Sequence, residues 1–277
     1  METRRLVHPE HYAGLGGEEL RKHFLVDDLF TPGEVKLVHW EGERTIIGSA
    51  VPLSTPLPLV SPEEIKAGHF SDRRELGVAN LGAAGGTVTV EGEAHALAPR
   101  DFIYISKGAA EVMFASDSAG APAHFYLVSH PAHAVHPTRV IPKADAETVT
   151  IGSAANASER TLRRYIHPRG VKSCQLVMGY TDLATGSVWN TMPPHTHTRR
   201  TEIYLYFDLD PGAVAFHFMG PPENTKHIVV RNFQAVLSPA WSMHFGAATS
   251  RYAFVWSMGG ENQEFEDMQG VTLDRLR

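Results

Sequence analysis

Apolar and polar residues alternate in short runs along most of the chain. Alternation with a period of two marks half-buried β-strands, because successive side chains point to opposite faces. The pattern predicts strands at 45–51, 77–81, 86–90, 102–105, 111–115 and 124–129. After a less regular stretch, strands resume at 173–181, 188–192, 202–209, 213–218, 227–230, 234–238 and 253–258. Helical periodicity is confined to short segments at 17–24 and 61–67. Gly and Pro turns separate the strands, which is the signature of an all-β chain. The region 132–158 has little periodicity, so a boundary is expected near 150, dividing the chain into domains 1–150 and 151–277.

The order of features repeats across that boundary. Arg73-Arg74-Glu75, a strand, a glycine-rich turn, a second strand and Ala98-Pro99 find an echo in the second half. There the order is Arg199-Arg200-Thr201-Glu202, a strand, a Pro-Gly turn, a second strand and Ser238-Pro239. A duplicated β-domain is expected. The glycine clusters at 81–86 and 14–17 lack the spacing and the strand–turn–helix setting of a dinucleotide site and read as turns.

Composition narrows the function classes. The chain has 277 residues, 43% of them hydrophobic and 20% charged. No apolar run approaches the roughly 18 residues that a membrane helix needs. The formal charge is −6, from 25 basic and 31 acidic residues. Nucleic acid as the main partner wants a basic surface and is not expected. A small anionic substrate needs only one or two placed cations. One cysteine, Cys174, forms no internal disulfide, and no apolar leader follows Met1-Glu2-Thr3-Arg4-Arg5, so the expected location is the cytoplasm.

Sixteen histidines make placement the question. The informative segment is Pro193-Pro194-His195-Thr196-His197-Thr198-Arg199-Arg200-Thr201-Glu202. In extended chain, residues i and i+2 share a side, so His195 and His197 present two imidazoles to one point. The prolines before them stiffen the approach. A bend through Arg199–Thr201 brings the Glu202 carboxylate to the same point, and His244 is the expected fourth ligand. Neutral imidazoles with one carboxylate suit Zn, Fe, Mn, Ni or Co and leave a coordination position open.

These residues resemble the cupin superfamily, whose first motif is HxH, three or four residues, then Glu; here the gap from His197 to Glu202 is four. Pro239 and His244 keep the spacing of the second motif, with Trp241 at its glycine position. A closer resemblance is to the 4-deoxy-L-threo-5-hexosulose-uronate ketol-isomerase (5-keto-4-deoxyuronate isomerase) family. It rests on Asn190-Thr191-Met192-Pro193-Pro194-His195-Thr196-His197, Arg73-Arg74-Glu75-Leu76-Gly77-Val78, Phe24-Leu25-Val26 and Gly259-Gly260-Glu261-Asn262-Gln263. These patches span nearly the whole chain. The resemblance implies an all-β bicupin of two jelly-roll β-barrels and one zinc ion per subunit on His195, His197, Glu202 and His244. It also implies a homohexamer acting on a sugar acid from pectin breakdown. The first half has only Glu75 and His95 near the matching place, so it is expected to be a degenerate cupin without metal.

The implied reaction moves a carbonyl from C1 to C2 of an open-chain uronate. Strand alternation sets Glu202, Tyr204 and Tyr206 on one face, and Tyr206 and His217 are the candidate catalytic residues. Arg199, Arg200 and Lys172 are candidates for the substrate carboxylate. Glu261-Asn262-Gln263 is read as the end of the last strand. Rival readings with the same ligands are a 5-deoxy-glucuronate isomerase of inositol breakdown, an iron-dependent cupin dioxygenase, and a sugar-binding cupin without turnover.

Overall fold

The structure is a computed structural model that describes residues 1–261, 264 and 267–277. It is all-β apart from a few short helices, and forms two compact units. The first comprises residues 1–3, 28–146 and 165–177, and the second 4–27, 147–164 and 178–277.

Two segments therefore cross a simple cut near 150, and each has a local cause. The helix Gly17–Phe24 buries Leu20 and Phe24, and the strand Leu25–Val26 after it adds to an edge of the second unit's sheet by pairing with Val236 and Ala235. An unpaired sheet edge accepts such a strand readily. The segment before the strand Val177–Leu183 is held in the first unit by Glu75. That carboxylate is fully buried and accepts from the backbone N–H groups of Cys174 (2.6 Å), Gln175 (2.7 Å) and Leu176 (2.8 Å), and from the Tyr104 hydroxyl (2.9 Å).

In the first unit a seven-stranded sheet centres on Phe125–Pro131 and Arg74–Asn80, and a four-stranded sheet centres on Val112–Ser116 and Gly86–Val90. Leu76, Val78, Ile103, Ile105, Phe125 and Leu127 of the larger sheet share one core with Val88, Val90, Leu97, Val112 and Phe114 of the smaller. In the second unit the larger sheet centres on Ala253–Gly260 and Arg200–Phe207, and the smaller one is Lys226–Val230, Ala215–Gly220 and Met243–Ala248. Two packed antiparallel sheets in each unit make the jelly roll.

The two units match in register. Arg74 pairs with Pro131 and Asn80 with Phe125, as Arg200 pairs with Gly260 and Tyr206 with Phe254. By that register Leu76 and Val78 stand where Glu202 and Tyr204 stand in the second unit. The same face is apolar in one unit and polar in the other.

The predicted strands at 86–90, 102–105 and 234–238 and the helix at 17–24 form as bounded. The stretch 188–192 is not a strand; Asn190 makes only an isolated bridge to Gly246. The segment 61–67 holds a single 3-10 turn, Glu63–Ile65, because Pro62 and the left-handed Lys66 bound it.

Glu75→Gln puts an amide NH2 among the three backbone N–H groups. It should lower stability by about 2–3 kcal/mol. A urea midpoint equal to wild type would contradict this clamp.

Candidate metal centre

Glu202 is carried on the strand Arg200–Phe207, whose alternation turns Glu202 and Tyr204 toward the cavity described below. His244 comes from Met243–Ala248 in the smaller sheet. This strand was not predicted, because Gly246-Ala247-Ala248 carries little β-propensity. Gly246 is nonetheless required: a Cβ there would meet Asn190 Nδ2 and the Tyr206 hydroxyl, each at 2.8 Å. His195 and His197 lie on the segment after the two prolines, and His195–Thr196 pairs with Gln269–Gly270. Trp241, at the motif's glycine position, does not prevent the turn. Ser242 N–H bonds Pro239 O at 2.9 Å, and the indole donates to Val7 O at 3.2 Å while packing on Tyr12.

One ligand atom from each of His195, His197, Glu202 and His244 lies within 4.8 Å of all the others. Glu202 Oε2 is 2.9 Å from His197 Nε2 and 2.8 Å from His244 Nε2. His195 Nε2 is 3.3 Å from His244 Nε2. His197 Nδ1 is 3.2 Å from the Arg200 carbonyl, which can only accept, so Nδ1 carries the proton. In the neutral imidazole the lone pair then sits on Nε2, facing a carboxylate oxygen. Two electron-rich atoms so placed repel unless a cation lies between them, and the donor set fits a divalent metal ion. Burial acts to raise the Glu202 carboxyl, but the charge of His244 and the contacts from His197 and His244 hold it well below the usual range. Burial, then His244, lowers His195 to about 3.

A cavity of about 280 Å3 opens on this cluster. Its wall is apolar at Leu162, Met192, Phe254, Trp256 and Met258, and polar at Arg160, Arg200, Thr191 and Tyr204. The Tyr204 hydroxyl bonds Thr191 Oγ1 at 2.8 Å, and its ring lies 5.5 Å from that of His244. Burial and then the Glu202 charge push the Tyr204 phenol well above its ordinary range, so it is neutral at pH 7.

The other sequence candidates divide. Tyr206 and His217 are bonded to each other at 2.8 Å, and His217 reaches Ser238 Oγ at 3.3 Å. Both are fully buried and neither lines the cavity. Arg200 lines it, with its guanidinium on Asp267 at 2.6 Å. Arg199 is exposed, 3.6 Å from Glu261, and Lys172 is exposed in the first unit. Glu261 N–H bonds Arg199 O at 3.1 Å just past the last residue of Ala253–Gly260. Asn262 and Gln263 lie outside the described residues.

Arg160 was missed. It is 8% exposed, lines the cavity, and donates to Ser158 O at 2.8 Å. Among the described residues it has no carboxylate partner. The signal was the shared parity of Arg160 and Leu162, unread because that stretch looked irregular.

A model of the KduI/IolB family matches residues 28–271. The chain belongs to the KduI/IolB family. The 4-deoxy-L-threo-5-hexosulose-uronate ketol-isomerase of Halalkalibacterium halodurans is 45% identical over 277 residues, covering 100% of both chains. The enzyme of that name from Lachnoclostridium phytofermentans is 47% identical with the same coverage. Among solved structures, an IolB-like protein from Salmonella typhimurium superposes with a TM-score of 0.73 at 13% identity, covering 90% of this chain and 96% of that one. The oxalate decarboxylase–formate complex of Lactobacillus farciminis gives 0.55 at 10% identity, covering 90% of each. At such identities these structures speak for the fold alone: the cupin jelly roll of the KduI/IolB family. Among the described residues no helix is long and apolar enough to cross a membrane.

His197→Ala and His244→Ala should each lose the bound metal while keeping the β-sheet circular dichroism of wild type. Elemental analysis showing a full equivalent of metal in either purified variant would remove that residue from the ligand set.

Proposed function

We propose that this chain is a metal-dependent aldose–ketose isomerase, converting 5-dehydro-4-deoxy-D-glucuronate to 3-deoxy-D-glycero-2,5-hexodiulosonate in the catabolism of pectin-derived uronates. The convergence of three imidazoles and one carboxylate at a small cavity carries the reading. Relatives of the same length at 45% and 47% identity, named for this activity, support the substrate.

One zinc ion per subunit is the proposed cofactor, held by His195, His197, Glu202 and His244; other divalent ions suit the same donors. When bound, such an ion polarises a carbonyl oxygen and stabilises the negative charge that develops on it. Arg160 is the proposed partner of the substrate carboxylate, with Arg200 beside it. A buried guanidinium without a carboxylate gains a charge-assisted, bidentate contact there. Neutral Tyr204 donates a hydrogen bond to a substrate oxygen. The apolar wall excludes water and strengthens these contacts. Tyr206 and His217 hold the floor beneath Tyr204 through their mutual bond and Ser238, and act as positioning residues.

In the reaction the C2 hydrogen leaves as a proton and a proton is added at C1. The C1 carbonyl oxygen gains a proton and the C2 hydroxyl loses one, so composition is unchanged. The first unit is proposed as a cupin without a metal site, since the face matching Glu202 and Tyr204 carries Leu76 and Val78. A cytoplasmic homohexamer is proposed. The single cysteine suits a reducing compartment. The edge of the first unit's smaller sheet, at Glu93–Leu97, suits assembly.

The test is NMR of the metal-loaded protein with 5-dehydro-4-deoxy-D-glucuronate in D2O. The expected result is the 2,5-diketo acid carrying deuterium on its hydroxymethyl carbon, which was C1 of the substrate, with no product from His197→Ala. Arg160→Ala should lose about 100-fold in kcat/KM, chiefly through KM. Turnover with the original hydrogen retained would replace proton transfer by a hydride shift. No conversion with metal bound would overturn the substrate assignment and favour 5-deoxy-glucuronate.

A further inference from the structure

The first unit holds its own cavity, of about 380 Å3. Arg44, Arg73 and Arg74 share its lining with Ile65, Phe70 and Pro131. Arg74 is 8% exposed. Its Nε donates to Ser129 Oγ at 3.1 Å, and its Nη2 to the carbonyls of Arg44 at 2.7 Å and Ser129 at 2.8 Å. Its Nη1 has no protein partner among the described residues. Arg73 is fixed through Nη2 by the carbonyls of Ile65 at 2.8 Å and Lys66 at 2.7 Å.

Arg44 has a left-handed φ of 52°, directly after Glu43 at 50°. That backbone is unfavourable for residues other than glycine, and such strain gathers at functional positions. It sets the Arg44 carbonyl on Arg74. The one carboxylate in the lining, Glu64, is 3.0 Å from the Met1 ammonium. Burial and then the Arg44 charge lower the Arg74 guanidinium to about 10, against the influence of Glu75. Arg74 is therefore still charged at pH 7. Like charges collected around a cavity repel one another until an anion enters.

We propose that this cavity is a second ligand site, which binds a sugar-sized organic anion through the guanidinium groups of Arg44, Arg73 and Arg74. Guanidinium forks match carboxylate and phosphate oxygens, and Ile65, Phe70 and Pro131 offer apolar surface to the carbon body. The three cations call for the oxyanion and the apolar half calls for the body, so inorganic phosphate alone is a poor occupant. None of these residues belongs to the metal cluster, and the inference stands independently of the proposed isomerase.

Isothermal titration of the metal-loaded protein tests it, with glucuronate, glucose 6-phosphate and inorganic phosphate as probes. At least one organic anion should bind wild type and bind the Arg44→Glu/Arg73→Glu variant about tenfold or more weakly. Metal content and isomerase turnover of that variant should match wild type. The milder Arg44→Gln should weaken binding in the same direction if the double variant does not fold. Arg160→Ala, in the other cavity, should keep the component of binding that Arg44→Glu/Arg73→Glu removes. Binding of glucuronate alone identifies a carboxylate ligand, of glucose 6-phosphate alone a phosphate ester, and of both a site that reads charge and body. The proposal is overturned if neither organic anion binds below about 10 mM, or if Arg44 and Arg73 substitutions leave binding unchanged. It is also overturned if Arg160→Ala abolishes binding, or if inorganic phosphate binds as tightly as the organic probes.

Discussion

A carboxylate almost out of reach of water is costly unless its charge is met, and Glu202 is 6% exposed. Three imidazole nitrogens converge on it, two of them within 2.9 Å of a single oxygen, and a cation held among them would meet the charge. The surrounding structure serves that arrangement. The alternation of Arg200–Phe207 aims Glu202 at the cavity. The Arg200 carbonyl sets the tautomer of His197. The Arg200 guanidinium meets Asp267, and two residues later Gln269–Gly270 pairs with His195–Thr196. The strand that supplies the carboxylate and the segment that supplies two imidazoles are thereby tied to one stretch of chain.

The two jelly rolls give opposite answers to the same packing problem. Where the first closes its core with Leu76 and Val78, the second places Glu202 and Tyr204 at the same register positions. A buried polar cluster contributes less to stability than an apolar one of the same volume unless each group is satisfied. The hydrogen-bonded pairs Tyr206–His217 and Tyr204–Thr191 meet much of that requirement.

How much of this could be read in advance depended on whether the determinant was local. The cluster was legible because HxH and a glutamate five residues on are close in the chain, and His244 follows Pro239 at fixed spacing. Strand parity placed Glu202 and Tyr204 together. It could not rank Tyr204 above Tyr206, since both share a face and only the opposite sheet decides which reaches the cavity. Arg160 and the strand around His244 escaped because their signals are weak alone: one sits in a stretch of irregular hydropathy, the other in a Gly-Ala-Ala run whose glycine answers a contact with Asn190 and Tyr206. The exchange of residues 4–27 and 165–177 between units rests on a sheet edge and on Glu75, both distant in sequence.

The central claim is that the Glu202–histidine cluster works as a cation site. It is tested most directly by stripping the purified protein with a chelator and restoring zinc stepwise while turnover is followed. The account predicts loss of activity on stripping and its return, saturating at one equivalent per chain. Full turnover by protein shown to hold no metal would contradict it.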